Sequence, residues 1–377
     1  VSLTDDIAAL VNQVNAQQAS IAALQAQVAA IPSGGGGSSA GPLGPVVFPQ
    51  QFDALAGTAG HDSTAAIASA IPAVPPGGSL WIPGTVGGYL VSNGFTLTTP
   101  INVIGDGDAT FFTGTLPANT DLFRVAVPAG QTLRNFSFKR MKFLVANARS
   151  WINVDTTAAA NTYLQGLVVE DVFAPVSPLN YAFWANGLAT GAGLSQADFN
   201  RNKFTVDGSS PNACYMFGNV GDTIRINAGI QTGTAYGMWL AQVGGAGGFS
   251  YMGGNCTSLG GLVVQSAIKP VFGGAFEIEL SNFDMLKLTT NSGKLSSGAG
   301  IYLLGCDGAT IGPGQIQALA TCSNFNEAVY CGATANVNVD DMRLTSAVGG
   351  IGINRSSPSA ANAGTKNSFA GFATNVV

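Results

Sequence analysis

NFSFKRMKF (135–143), QGLVVEDVF (165–173) and DFNRNKFTV (198–206) are three versions of one unit. In each, apolar and polar residues alternate, a charged or amide residue interrupts, and a second short apolar run follows. TIRINAGI (223–230), FEIELSNFDML (276–286) and NVNVDDMRL (336–344) continue the series, so that related units recur about every 25 to 33 residues. A period of this length with no helix in the unit predicts a β-solenoid, in which a coil buries its inner face only by stacking on the next. Asn, Gly and Asp at the interruptions fit sharp corners, because they tolerate left-handed backbone and their side chains bond neighbouring backbone or one another.

Outward from these units, the chain beyond Phe48 is a run of short apolar strands ended by turn residues: Leu80–Ile82, Tyr89–Val91, Gly261–Val264, Ile301–Leu304 and others. Helical periodicity is nearly absent there. The chain start is different. Leu3, Ile7, Leu10, Val14, Gln17, Ile21, Leu24, Val28 and Ile31 are spaced alternately by four and three, a heptad seam that is buried only against another helix. The residues at its a and d positions lean toward two strands in a parallel coil, Gln17 weakens that preference, and the flanking positions carry almost no charge. Pro32 to Pro45 (PSGGGGSSAGPLGP) is too rich in Gly and Ser to form a core. The expected organisation is a coiled-coil stalk over 1–31, a linker over 32–47 and an all-β body over 48–377.

Composition narrows the function. Of the 377 residues 46% are hydrophobic and only 9% charged, which excludes disorder and leaves solubility to Asn, Ser, Thr and Gln. A formal net charge of −5 supplies nothing to neutralise nucleic-acid phosphates. No run of apolar residues is long enough to span a membrane, and Asp5 and Asp6 stand where a secretion signal would be basic, so no membrane insertion is expected. Five cysteines without a C-x-x-C pair read as buried apolar residues, and a lone His61 leaves little for a Ser-His-Asp triad. No metal and no cofactor are expected.

Residues Phe52 to Phe112 resemble the opening module of the pectate-lyase-like superfamily, as found in bacteriophage tailspikes and polygalacturonase-related enzymes. Gly57, Asp62, Thr64, Ala66, Ile67, Ala70 and Ile71 match its first part. Gly77, Gly78, Leu80, Ile82, Pro83, Gly84 and Tyr89 match the second, and Gly105, Asp106 and Gly107 the third. Thr58 and Ser63 stand where the family usually has Asp. The expected local structure is a short helix, capped by Ser63 or Thr64 and ended by Pro72, whose Ile67 and Ile71 close the first coil.

The resemblance implies a right-handed parallel β-helix, a homotrimer when a coiled coil precedes it, and work on or binding to polysaccharide. The chain then reads as a subunit of a phage tailspike or tail fibre that binds a bacterial surface glycan for host attachment. It would be assembled in the host cytoplasm, with its stalk joined to other virion proteins. Depolymerase activity on the same glycan and a purely structural head or tail fibre are the alternatives. Binding ranks ahead of cleavage, since the chain is short for an enzymatic spike.

For catalysis the candidates are Glu277 and Glu279, with Asp284 beside them. A strand's period of two puts both glutamates on one face about 7 Å apart, a separation suited to an inverting pair. The same alternation describes any solvated face of a β-helix. For glycan stacking the candidates are Trp184, Tyr236, Trp239 and Tyr251, which packing in the core or between subunits would equally explain. Lys139–Phe143 and Arg201–Phe204 are the local basic clusters, read either as solvated strand ends or as partners of acidic sugars.

Overall fold

An alternating strand buries one side only, and a parallel stack of such strands buries that side against the opposite wall of its own coil. The computed structural model is built in this way. It describes residues 44–377 apart from 188–191, 208–212, 219–222, 234–235, 241–247, 259–260, 266–268, 281–288, 291–292, 295–297, 307, 321–324, 333–335, 356–360 and 365. The heptad segment 1–31 lies outside the described residues.

One wall, here sheet I, has eleven parallel strands running from Phe95–Leu97 through Ser150–Thr156, Tyr181–Gly187 and Tyr236–Leu240 to Thr374–Val376. The other walls form one 22-stranded sheet that bends along a corner. Sheet II includes Ser79–Ile82, Asn102–Gly105, Ile224–Asn227 and Val337–Val339. Sheet III includes Tyr89–Val91, Phe111–Thr115, Lys203–Thr205, Phe276–Leu280 and Met342–Ser346. The long strands Ser137–Ala146 and Thr162–Ala174 pass through the corner and belong to both. The first strand, Val46–Val47, already pairs in parallel with Ser79 and Leu80, so the sheet starts just before the boundary expected at 48.

Between the walls lies one continuous core. Phe112, Phe123, Phe138, Phe143 and Trp151 are fully buried and meet at centroid distances of 5.4–6.0 Å. Burying each such ring is worth about 1.5–3 kcal/mol. Cys214, Cys256, Cys306 and Cys331 are buried in the same core; Cys322 lies outside the described residues. The helix Thr64–Ala73 caps the stack with Ala66, Ile67 and Ala70 inward. Two details differ from expectation. Pro72 sits within the helix, which ends one residue later, and Ser63 does not cap it. Asp62 Oδ1 accepts from the Thr64 amide instead, while Ser63 Oγ accepts from Gly57 N.

The corner between sheets II and III is a stack of left-handed residues: Arg140, Asp171, Arg201 and Ala228 have φ between 49° and 55°. Such a conformation costs a non-glycine residue about 1–2 kcal/mol. Side chains from the next coil offset the strain. Asn202, 1% exposed, accepts from Val172 N at 3.0 Å and donates to Val169 O at 2.9 Å, which closes the Asp171 corner. Asn367 repeats this at the Asp341 corner, with Met342 N and Val339 O. Among the described residues no helix is long and apolar enough to cross a membrane.

Replacing Asn202 by Ala would strand a buried amide and a buried carbonyl at about 1–3 kcal/mol each. Asn202→Ala is therefore expected to lower the urea midpoint of the body clearly while its β circular dichroism is retained.

Candidate functional site

The strands of sheet I do not alternate simply. In Ser150-Trp151-Ile152-Asn153 and Tyr181-Ala182-Phe183-Trp184, the two middle residues are both in the core and the outer two are both on the outer side of the sheet, where Ser150, Asn153 and Tyr181 are buried and Trp184 is partly exposed. Ala213 to Met216, Tyr236 to Trp239 and Ala299 to Tyr302 repeat this in parallel register. Gly237 fits because a Cβ there would come within 2.2 Å of Cys256 Sγ. Outward residues three apart therefore stand together on one face.

Stacking these strands produces a ladder along the coil axis: Arg124, Asn153, Trp184, Met216, Trp239, Val263, Tyr302 and Tyr330 are successive partners. Neighbouring rungs are about 4.8 Å apart, so Trp184 and Trp239 stand about 10 Å from each other. Tyr181 packs on Trp184 at 5.2 Å and Tyr236 on Trp239 at 5.8 Å, while Tyr302 and Tyr330 stack at 4.6 Å. Together with Val263 and Ala299 they form an apolar cluster separate from the core.

The ladder's lower end is polar. Asp121, its side chain 2% exposed, accepts from Arg149 Nε (2.9 Å), Ser150 Oγ (2.6 Å) and Asn153 Nδ2 (2.8 Å), and Arg149 Nη2 adds a second guanidinium bond. The same guanidinium lies 4.8 Å from the Trp184 ring centre, a cation–π contact that fixes the indole. One coil up, Asp155 accepts from Arg124 Nε and from the Thr157 amide and hydroxyl. Burial alone would raise the Asp155 carboxyl, but the Thr157 and Arg124 hydrogen bonds outweigh it and hold the group below the ordinary carboxylate range. At the upper end Glu327 accepts from Asn354.

Such a face pairs flat apolar rings with the fixed guanidinium groups of Arg124 and Arg149. Sugars present the complementary surface, an apolar C–H face edged by hydroxyls. The carboxylates Asp121 and Asp155 are saturated by donors, so they orient neighbours rather than deliver protons.

Three of the four aromatic candidates, Trp184, Tyr236 and Trp239, come together here. Tyr251 does not. Its strand, Gly248–Met252, turns Phe249 and Tyr251 inward, and the fully buried Tyr251 hydroxyl donates to Gln231 Oε1 inside the coil. It is a core residue. Glu277 lies on the outer side of sheet III, its carboxylate held by the amides of Asn255 and Gln315 from the coils below and above. Glu279 pairs with Thr257 and Gln317 in the same strand register. Asp284 lies outside the described residues.

Asp121, Arg124, Arg149, Asp155, Tyr181, Tyr302 and Tyr330 were not singled out by the sequence reading. The recurrence of Y-A-F-W at 181–184 and Y-G-M-W at 236–239 was the available signal, hidden by an assumption of strict alternation.

No family model and no curated protein matches the chain. Among solved structures it is similar to the A-module of the mannuronan C-5 epimerase AlgE6 of Azotobacter vinelandii, with a TM-score of 0.48 and 15% identity over 88% of this chain and 99% of that one. It is also similar to the Dettilon tailspike protein, with a TM-score of 0.40 and 12% identity over 88% and 68%. For an iota-carrageenase complexed to iota-carrageenan fragments the TM-score is 0.36 and the identity 14%, over 85% and 57%. With identities this low, what the site does has to be read from its own residues.

Lowering the pH tests the polar end of the ladder. A carboxyl whose folded pKa is depressed contributes stability above its unfolded value, near 4, and loses it as pH falls through the folded value. The Arg124–Asp155 clamp is therefore expected to hold through the ordinary carboxylate range and to open only as the pH falls through the depressed Asp155 value. Asp155→Asn should lower the thermal midpoint at pH 7 and shrink its further drop at pH 3.

Proposed function

We propose that this chain is a subunit of a bacteriophage tailspike or tail fibre that binds a bacterial surface polysaccharide through the outer face of sheet I. One observation carries the reading: Trp184, Trp239, Tyr302 and Tyr330 form a ladder parallel to the coil axis, begun by Arg124 and Asn153. A linear glycan laid along that axis would stack a ring on each indole, and its hydroxyls would meet the Arg124 and Arg149 guanidinium groups. Repetition over several coils gives many weak contacts in series, which suits a polymer better than a small molecule. The resemblance of residues 52–112 to tailspike opening modules supports the phage assignment, and the heptads of 1–31 support a stalk anchored in the virion.

Glycan cleavage is the second reading. Glu277 and Glu279 occupy one strand on a sheet wall, and Glu277 already sits between two amides that would orient it. Asp284 is the third carboxylate of that proposal.

Calorimetry with the purified protein and polysaccharide from the host decides between them. Trp184→Ala and Trp239→Ala should each weaken binding about tenfold, the value of one lost stacking contact of roughly 1.4 kcal/mol. Glu277→Gln should leave affinity unchanged. If the polysaccharide shortens during incubation and Glu277→Gln or Glu279→Gln stops it, the depolymerase reading holds. No binding by the parent protein would leave a purely structural fibre.

Assembly is tested separately. The heptad seam is proposed to hold three parallel chains, because bodies of the resembled family that follow such a stalk are generally three-fold. Sedimentation equilibrium should give a trimer, and a dimer would show that the coil's own a and d residues set the number.

A further inference from the structure

The basic clusters at 139–143 and 201–204 fall on adjacent parts of the wall away from sheet I. Their cations divide into two sets. Lys139 and Arg201 are neutralised at the corner, Lys139 by Glu170 and Arg201 by Glu170 and Asp171. Lys142 and Lys203 have no ion-pair partner among the described residues. Both rest against the same ring, each ammonium 5.1 Å from the centre of Phe173.

Register explains the arrangement. Lys142, Phe173 and Lys203 are successive rungs of one outward column on sheet III, so the two lysines flank the ring from the coils below and above. Phe173 thereby holds two ammonium groups about two strand spacings apart, roughly 10 Å. Arg140, one corner away, also lacks an ion-pair partner among the described residues and lies 5.8 Å from the Trp81 ring centre. In a chain of net charge −5, this is a patch where positive charge is left uncompensated and held in place by aromatic rings. Two fixed like charges repel, and bound anions relieve that repulsion. A single carboxylate cannot reach both ammonium groups. Two anionic groups one disaccharide apart on a linear chain can.

We propose that the Lys142–Phe173–Lys203 column is a second polysaccharide contact, selective for a linear acidic glycan that carries a carboxylate or sulfate on every second sugar. It lies on a different wall from the aromatic ladder and does not depend on the ladder's function. Nucleic acid carries an anion at every unit, a closer spacing than that of the two ammonium groups.

The full-length protein is titrated with a hyaluronan octasaccharide, which has a carboxylate on alternate sugars, and with a neutral chitin-derived octasaccharide. The expected result is preference for hyaluronan, weakened at least about tenfold by raising salt into the range where the Debye length falls to about 3 Å. Lys142→Gln with Lys203→Gln should weaken hyaluronan binding similarly, whereas Lys142→Arg with Lys203→Arg should retain it. Arg225→Gln, which removes a cation paired with Asp198 on sheet II, should leave it unchanged, which separates the column from surface charge in general. The proposal is overturned by equal binding of the two octasaccharides, by full binding in the Gln double variant with an unaltered melting curve, by an equal loss of hyaluronan binding in Arg225→Gln, or by tighter binding of single-stranded DNA.

Discussion

Parallel stacking at constant register is the constraint on which everything else in this molecule rests. Each coil has an inner face that only its neighbours can cover, so every strand must sit directly above its counterpart. Once that holds, whatever one coil places on its outer side is repeated in line by the next. The Trp184–Tyr330 ladder and the Phe111–Lys142–Phe173–Lys203 column are both consequences. A functional surface on such a fold is a set of columns, and its natural ligand is itself a repeating chain.

The same constraint explains where polar groups are spent. With so few charged residues, the chain concentrates them at the corner between sheets II and III and at the polar end of the ladder on sheet I. At the corner, backbone groups must turn sharply and remain satisfied, and asparagines such as Asn202 and Asn367 reach across coils to satisfy them. On sheet I, the buried Asp121 serves Arg149, which in turn fixes Trp184. Electrostatics here mostly orients side chains that face outward, and the hydrophobic core supplies the cohesion.

A large part of this was legible in the sequence. The recurring units at 135, 165, 198, 223, 276 and 336 sufficed for a β-solenoid, because an alternating run bounded by turn residues has few other stable uses. Asp at the interruptions of these units fits a sharp corner by local chemistry, and Asp171 and Asp341 do take left-handed backbone. Trp184, Tyr236 and Trp239 were identifiable as aromatic candidates. Their grouping was not, since they lie 55 positions apart at most only in sequence and become neighbours through register alone.

What the sequence by itself determined, then, was the period, the strands, the corners and the class of surface. Only the tertiary structure decided which way individual side chains faced. Tyr251 and Trp239 look alike in sequence, yet one is inside and the other outside, because the doubled inward step on sheet I shifts the alternation that an isolated strand would obey. Likewise Lys139 and Lys142 belong to one basic run, but the corner at Arg140 sends the first to a carboxylate and the second to an aromatic ring. The physical reason is the same in both cases: facing and partnership are set by the coils above and below, about 30 residues away in the chain, and no local pattern carries that information.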